Sequence, residues 1–229
     1  MQALQSLIHM SCPVHAKRER RKEARPGELL KAALALFVEK GFAATRVEEI
    51  ARRAGVSKGT LFLYFASKEE LFKAVVRDNI VGQLAQFSGA IDAYEGPTPA
   101  LMRTFVHGWW QHVEATNSAA ISKLMISEGA QFPELAAFYR AEVIEPAQQL
   151  IARVLARGQV RGEFRRVDPQ YGPLVLLSSL IFLALWRNSA TLAGVHDGQL
   201  DPRAYLDTLL DTCLSGLSIH PSAAVKPAD

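Results

Sequence analysis

Apolar residues recur along this chain with a period near 3.6, and nowhere with a sustained period of two. Leu30, Ala33, Leu34 and Phe37 stand at i, i+3, i+4 and i+7, which sets them on one helical face. Arg25-Pro26-Gly27 leads into this pattern and Gly41 stops it, so a first amphipathic helix is expected over about residues 26–40. Thr45 stands three residues before Glu48, the spacing of a capping box. Val47, Ile50 and Ala51 then share a face and Gly55 terminates, which predicts a short second helix over about 46–54. Ser57 caps a third, about 58–65. From Lys68 a longer pattern carries Phe72, Val75, Val76, Ile80, Leu84 and Phe87 and fades near Glu95-Gly96-Pro97; later breaks fall at Asn117, Pro133, Gly162 to Pro169 and Gly194 to Pro202. The pattern predicts an all-α protein of about nine helices, three small and six larger. It divides into a basic tail at 1–25, a three-helix unit at 26–67, a larger helical part at 68–219 and a second tail at 220–229.

A chain of 229 residues, 49% apolar and 21% charged, can bury a sizeable core and is far from a disordered composition. Its longest apolar run, Leu174 to Trp186, is 13 residues with two serines, short of the roughly 18 expected of a membrane span. A buried core or interface helix is expected there, with no membrane partner. At the N-terminus a few apolar residues precede the basic run, the reverse of a signal peptide, so the expected location is the cytoplasm. Cys12 and Cys213 lie in unlike contexts and are expected to be free thiols. Charge is unevenly placed. Through Lys68 there are 13 Lys and Arg against 6 Asp and Glu; the remainder has 13 against 17. The N-terminal part is therefore expected to meet a polyanion that the larger part does not.

Two short helices joined by a tight glycine-containing turn, on a basic segment, are what a helix-turn-helix requires. Gly55 supplies a positive φ at the turn, and Val56 can tuck into the small core. On the third helix Leu61 and Phe65 share the face toward Ile50 and Phe37, leaving Lys58, Phe62 and the edge of Tyr64 elsewhere, with Leu63 compatible with either. These residues resemble the DNA-binding domain of the tetracycline-repressor (TetR) family of bacterial transcription regulators. Gly41, Thr45, Val47, Ile50, Ala51, Ala54, Gly55, Val56, Ser57, Gly59, Leu61, Tyr64, Phe65, Lys68 and Leu71 stand in register with that family's pattern, over about residues 28–75. Two positions depart: Phe62 stands where a tyrosine is usual, and Arg46 where a small hydroxyl residue is usual.

The resemblance implies a transcription regulator, a repressor that binds a pseudo-palindromic double-stranded operator as a homodimer and leaves it when a small effector binds. It implies that Lys58 reaches base edges or phosphate, that Gly59 permits close approach to the groove, and that Thr60 hydrogen-bonds or touches a thymine methyl. Phe62, Tyr64 and Lys68 would clamp the backbone, Leu63 joins the contact set, Thr45 or the first amides of the second helix would take a phosphate, and Arg46 adds a charge. The basic run Lys17-Arg18-Glu19-Arg20-Arg21-Lys22 resembles the arm that some members lay along DNA.

Beyond the first unit the resemblance covers the overall plan only, a ligand cavity and a dimer interface. Leu176 and Leu180 in the apolar run, with the stripe Leu206, Leu209, Leu210, Cys213, Leu214 and Leu217, suit a four-helix interface between two copies; an ordinary monomer core is the other reading. Phe105, Trp109, Trp110, His112, Met125, Phe132, Phe138, Ser178, Phe182 and Trp186 are candidate effector contacts, and suggest a hydrophobic or aromatic effector as in members that govern multidrug efflux. His107 and His112 are five apart, off the spacing that sets two ligands on one helical face, so no metal is expected. No cofactor or enzymatic signature is present: there is no H-E-x-x-H, P-loop, G-x-G-x-x-G or nucleophile elbow. The competing readings are a helical carrier or enzyme with an incidental three-helix start, and a TetR-like regulator without a small-molecule inducer.

Overall fold

The computed structural model describes residues 13–116, 118–188 and 200–218, with side chains from residue 26 onward. All regular structure among them is helical. Helices α1 (Pro13–Ala44), α2 (Val47–Arg53) and α3 (Lys58–Tyr64) come first. Helix α4 (Lys68–Val76) passes through a π-helical turn, Arg77–Val81, into α5 (Gly82–Ala93). Helices α6 (Thr98–Thr116) and α7 (Ser118–Glu128) follow; α8 (Pro133–Tyr139) then passes through a second π turn, Arg140–Ile144, into α9 (Glu145–Val160). Helices α10 (Tyr171–Arg187) and α11 (Pro202–Leu217) complete the order. Followed through their π turns, and with α1 interrupted at Gly41 (φ +81°, ψ 167°), these form nine rods among the described residues, in agreement with the periodicity.

One boundary is corrected. Helix α1 begins at Pro13, inside the segment expected to be a polar tail. The physical reason is propensity: Lys17 to Ala24 holds only good helix formers, and a proline is well tolerated in a first turn. The side chains of the basic run at 17–22, Cys12, the break at Gly194 and the tail at 220–229 lie outside the described residues and side chains.

Two cores hold the molecule together. The larger lies among α6, α9, α10 and α11, around Leu101, Phe105, Trp110, Ile151, Val154, Leu180, Leu183, Leu206 and Leu210. The other joins the first three helices to α4, α7 and α8. At its centre Phe42 meets Phe37, Phe72 and Phe132 with ring centroids 5.5, 5.4 and 4.8 Å away. Such ring pairs add about 0.5–1.5 kcal/mol each beyond area burial. The small unit is therefore completed by residues far along the chain, among them Ile121, Leu124 and Leu135.

The stripe read as an interface is also corrected. Leu206 and Leu210 are fully buried, and Leu176, Leu180, Leu214 and Leu217 are buried in the same core, with Cys213 half-buried against it. They face the chain's own α6 and α9 rather than outward. Apolar residues left exposed on α10 are Tyr171, Leu174, Val175 and Phe182.

Candidate nucleic-acid interface

The turn between α2 and α3 is built as its residues require. Gly55 has φ +68°, where a side chain would be strained, and the Val56 amide donates to the Ala51 carbonyl at 2.9 Å. Ser57 caps α3, its hydroxyl oxygen accepting the Thr60 amide at 3.0 Å. Leu61 is the one buried residue of α3 and anchors it to Ile50 and Ala51 in the shared core. Phe65, half-buried, packs against the same core. The other side of the helix faces out: Phe62, Leu63 and Tyr64 are 41, 83 and 37% exposed.

The segment that carries this face, residues 26–68, holds more Lys and Arg than Asp and Glu. Lys58 is paired with Glu48 at 2.6 Å and lies 5.7 Å from the Phe62 ring centre. Arg53 pairs with Glu39 and Lys40 with Glu49, each at 2.7 Å. The Lys58 and Lys40 partners hold the Glu48 and Glu49 carboxyls below the usual range. These pairs are exposed and each contributes only about 0–1 kcal/mol, so a phosphate can compete for the same cations. Arg46 and Arg52 are exposed and, among the described residues, sit in no ion pair. Gly59 is exposed, with only the Ser57 hydroxyl near a position where a Cβ would stand, at 3.8 Å. Nothing among the described residues requires a glycine there. Thr60 is half-buried and its hydroxyl shares a 2.9 Å hydrogen bond with that of Ser57, leaving its methyl group for contact.

Two expected contacts are internal instead. Thr45 is buried, and its hydroxyl donates to the carbonyls of Gly41 at 2.6 Å and Leu36 at 3.2 Å. The N-cap of α2 is Arg46, whose amide is met by the Glu49 carboxylate at 3.4 Å, so the cap lies one residue later than the Thr45 and Glu48 spacing predicts. Lys68 turns inward: its ammonium donates to the carbonyls of Phe42, Ala43 and Thr45 at 2.8, 3.4 and 3.1 Å. Burial lowers its pKa, and Glu69 and Glu128 draw it back up. The hydroxyl proton of Thr45 and the ammonium donors of Lys68 are thus engaged within the chain, around the turn that enters α2.

A second candidate site lies in the helical body. A cavity of about 70 Å³ is lined by Ile80, Leu84, Phe87, Trp109, His112, Val113, Tyr139, Val143, Leu177 and Ile181, with Gln83, Ser118 and Ser122 as further polar groups. Among the described residues no Asp, Glu, Lys or Arg lines it. The His112 ring donates through Nε2 to the Asn79 carbonyl at 2.6 Å, since a carbonyl can only accept. Asn79 belongs to the first π turn. Ser122 and Tyr139 share a hydrogen bond of 2.8 Å, and burial pushes the Tyr139 phenol up to about 12. An outer cleft of about 320 Å³ shares Ser122, Tyr139, Ile144 and Ile181 with the cavity as a common wall.

Of the ten effector candidates, Trp109 and His112 line the cavity. Phe105, Trp110 and Trp186 are buried core. Phe132 and Phe138 pack against the core shared with the first helices, Met125 is buried there and borders the outer cleft, and Ser178 and Phe182 are on the exposed side of α10. Of the cavity residues from the π turns, Ile80 shares the helical spacing that begins at Lys68, and Val143 and Ile144 carry no signal in the sequence beyond being apolar.

Comparison with known proteins agrees with this architecture. The family model for bacterial regulatory proteins of the tetR family matches residues 29–75, and that for the tetracyclin repressor-like C-terminal domain matches residues 95–193. The HTH-type transcriptional repressor KstR2 of Mycobacterium tuberculosis (strain ATCC 25618 / H37Rv) is 37% identical over 83 residues, 36% of this chain and 42% of that protein. The HTH-type transcriptional regulator RutR of Escherichia coli (strain K12) is 51% identical over 61 residues, 27% of this chain and 29% of that protein. The aligned part thus spans less than half the length of these curated relatives. Among solved structures, the fatty acid degradation regulator FadR from Bacillus halodurans superposes with a TM-score of 0.67 at 20% identity, over 83% of this chain and 94% of that one. The two models between them cover both the exposed helix-turn-helix and the helical body that holds the cavity, and the chain belongs to the TetR family of transcriptional regulators.

Proposed function

We propose that the chain is a repressor whose homodimer reads a pseudo-palindromic operator with two α3 helices and releases it when a small, uncharged, apolar molecule enters the body. The supporting observation is where the cavity lies. Ile80, in the π turn that continues α4, forms part of its wall, while Phe72, Val75 and Val76 of α4 are buried in the core beneath α3. An occupant and the operator therefore act on one continuous rod. A cavity of about 70 Å³ is smaller than the roughly 300 Å³ or more of a typical ligand pocket, so an occupant must displace wall elements or extend into the outer cleft. The two π turns, Arg77–Val81 and Arg140–Ile144, interrupt the α-helical ladder beside the cavity and are the elements that move in this reading. Inside the cavity a charged molecule would lose its hydration without gaining a charged partner; Arg140 stands only in the outer cleft.

On the DNA side, Lys58, Gly59, Thr60, Phe62, Leu63 and Tyr64 of α3 with Arg46 before α2 form the contact set in this reading. The dimer forms through the exposed face of α10, Leu174, Val175, Ser178 and Phe182, which carries no charged side chain between Tyr171 and Trp186. The test is reciprocal titration. Compounds that raise the melting temperature, drawn from a library of uncharged apolar and aromatic molecules, should weaken operator binding by about 5–150-fold, and the operator should weaken their binding by the same factor. Tight binders that leave operator affinity unchanged across the library would leave a regulator without an inducer.

A further inference from the structure

Resting on the reading that cavity and operator are coupled, we propose that Glu128 is the positioning residue through which α7 sets the turn that enters α2. Glu128 is the last residue of α7, and its two carboxylate oxygens accept the backbone amides of Phe42 at 3.2 Å and Ala43 at 2.9 Å. From the other side Lys68 holds the carbonyls of Phe42, Ala43 and Thr45, and its ammonium lies 4.3 Å from the Phe42 ring centre. The turn thus has its amides gripped by an anion of the body and its carbonyls by a cation of α4. Gly41 is shaped for this contact twice over: it has φ +81°, and a Cβ there would collide with the Glu128 carboxylate.

The opposite end of α7 reaches the cavity, whose wall includes Ser118, Ala119 and Ser122. Ser118 and Glu128 are separated by about 15 Å along the helix axis. A helix of this length does not compress, so a shift imposed at Ser118 or Ser122 is delivered to the carboxylate. Hydrogen bonds are steeply sensitive to angle, whereas packed apolar contacts of the kind α4 makes can slide. The Thr45 hydroxyl ties the same turn to Gly41, so its displacement is passed to α2 and on to α3. This makes α7 a second line of coupling beside α4, and Glu128 its terminal contact.

The experiment compares the full chain with Glu128→Ala and the near-isosteric Glu128→Gln. It follows hydrogen exchange of the Phe42 and Ala43 amides, affinity for the DNA upstream of the chain's own gene, and the change in that affinity with 1-decanol as an uncharged apolar probe. Exchange at Phe42 and Ala43 is expected to rise about tenfold or more in the alanine variant while amides of α9 and α10 keep their rates, because a bond to a charged acceptor is lost. Operator affinity falls, the factor by which decanol weakens it drops toward one, and decanol binding without DNA is unchanged. Glutamine, which retains one acceptor oxygen, recovers part of each effect, and it carries the test if the alanine variant fails to fold. Wild-type exchange, affinity and probe response in both variants would overturn the assignment. If the unaltered chain shows no response to decanol or to any thermal-shift hit, the release reading falls, while exchange and operator affinity still decide the positioning role.

Discussion

Helices α3 and α10 both leave apolar side chains in water, and they differ in what surrounds them. On α3, Phe62, Leu63 and Tyr64 stand beside Lys58, with Arg46 and Arg52 nearby on a segment rich in cations. On α10, Leu174, Val175 and Phe182 stand on a helix that carries no charge before Arg187. Their support differs as well: α3 rests on Leu61, whereas α10 buries Leu176, Leu177, Leu180, Leu183, Ala184 and Trp186. Exposed apolar surface ringed by cations suits a polyanion with flat, stackable or methyl-bearing edges; the same surface without charge suits a second apolar face. Weak anchoring fits a reader that must adjust to a groove, and deep anchoring fits a rigid wall. In the proposed reading, the charge around each patch, rather than the patch itself, sets the partner.

The largest expected effect breaks the anchor of α3. Leu61→Ala should cost about 2–5 kcal/mol in denaturant unfolding, because it empties a fully buried site, and amides of α3 should lose exchange protection before those of α10. Next comes charge on α10. Val175 is 61% exposed, so Val175→Lys should leave the fold intact yet weaken self-association by about 3 kcal/mol or more, roughly 100-fold or greater, as seen by sedimentation. The matching change on α3, Leu63→Lys, should leave the sedimenting mass as it is, since that face is not expected to meet another copy.

Gly59→Ala separates folding from reading. The chain has space for the added methyl and a helical glycine is costly, so stability should rise by about 0.5–1 kcal/mol. Operator affinity should nevertheless fall by about tenfold, read by anisotropy, if the groove approaches closely there; an unchanged affinity would remove Gly59 from the contact set. The smallest effect lies in the body and is electrostatic. Hydrogen bonds from Thr98 and from the Arg161 guanidinium hold the Glu163 carboxyl at about 2, below its ordinary 4.5. A depressed carboxyl contributes stability above pH 4.5 that is lost as pH falls toward 2. Glu163→Gln should therefore flatten the fall in melting temperature across that window, and the α3 contacts, which do not involve it, should leave operator affinity at neutral pH unchanged.

Helix content, the order of rods and the reader were legible in the chain because each rests on local chemistry. A 3.6-residue period marks a buried face whatever it packs against, Gly55 and Ser57 force a turn and a cap by their own conformational needs, and clustered Lys and Arg declare an affinity for anions. The same locality explains the misplaced cap. Thr45 and Arg46 are adjacent, Glu48 and Glu49 likewise, and spacing alone cannot say which pair starts the helix; the inward bonds of the Thr45 hydroxyl to Leu36 and Gly41 decide it. Nor does periodicity say which apolar face meets the chain itself and which is left outside, because Leu210 and Val175 are equally hydrophobic. Packing of α11 against α6 buries the first, and the rotation of α10 on α7 and α9 exposes the second.

What the amino-acid order determined by itself was the set of helices, the basic reader and the absence of charge along α10. Tertiary structure alone decided the rest: that Lys68 and Thr45 serve a turn, that Glu128 from 85 residues further along grips the Ala43 amide, and that the π turns of two separate rods meet at one cavity. The physical reason is range. Propensity, capping and charge density act over a few neighbouring residues, whereas a buried hydrogen bond or a cavity exists only where distant segments are brought within a few ångströms, and no local pattern encodes that meeting.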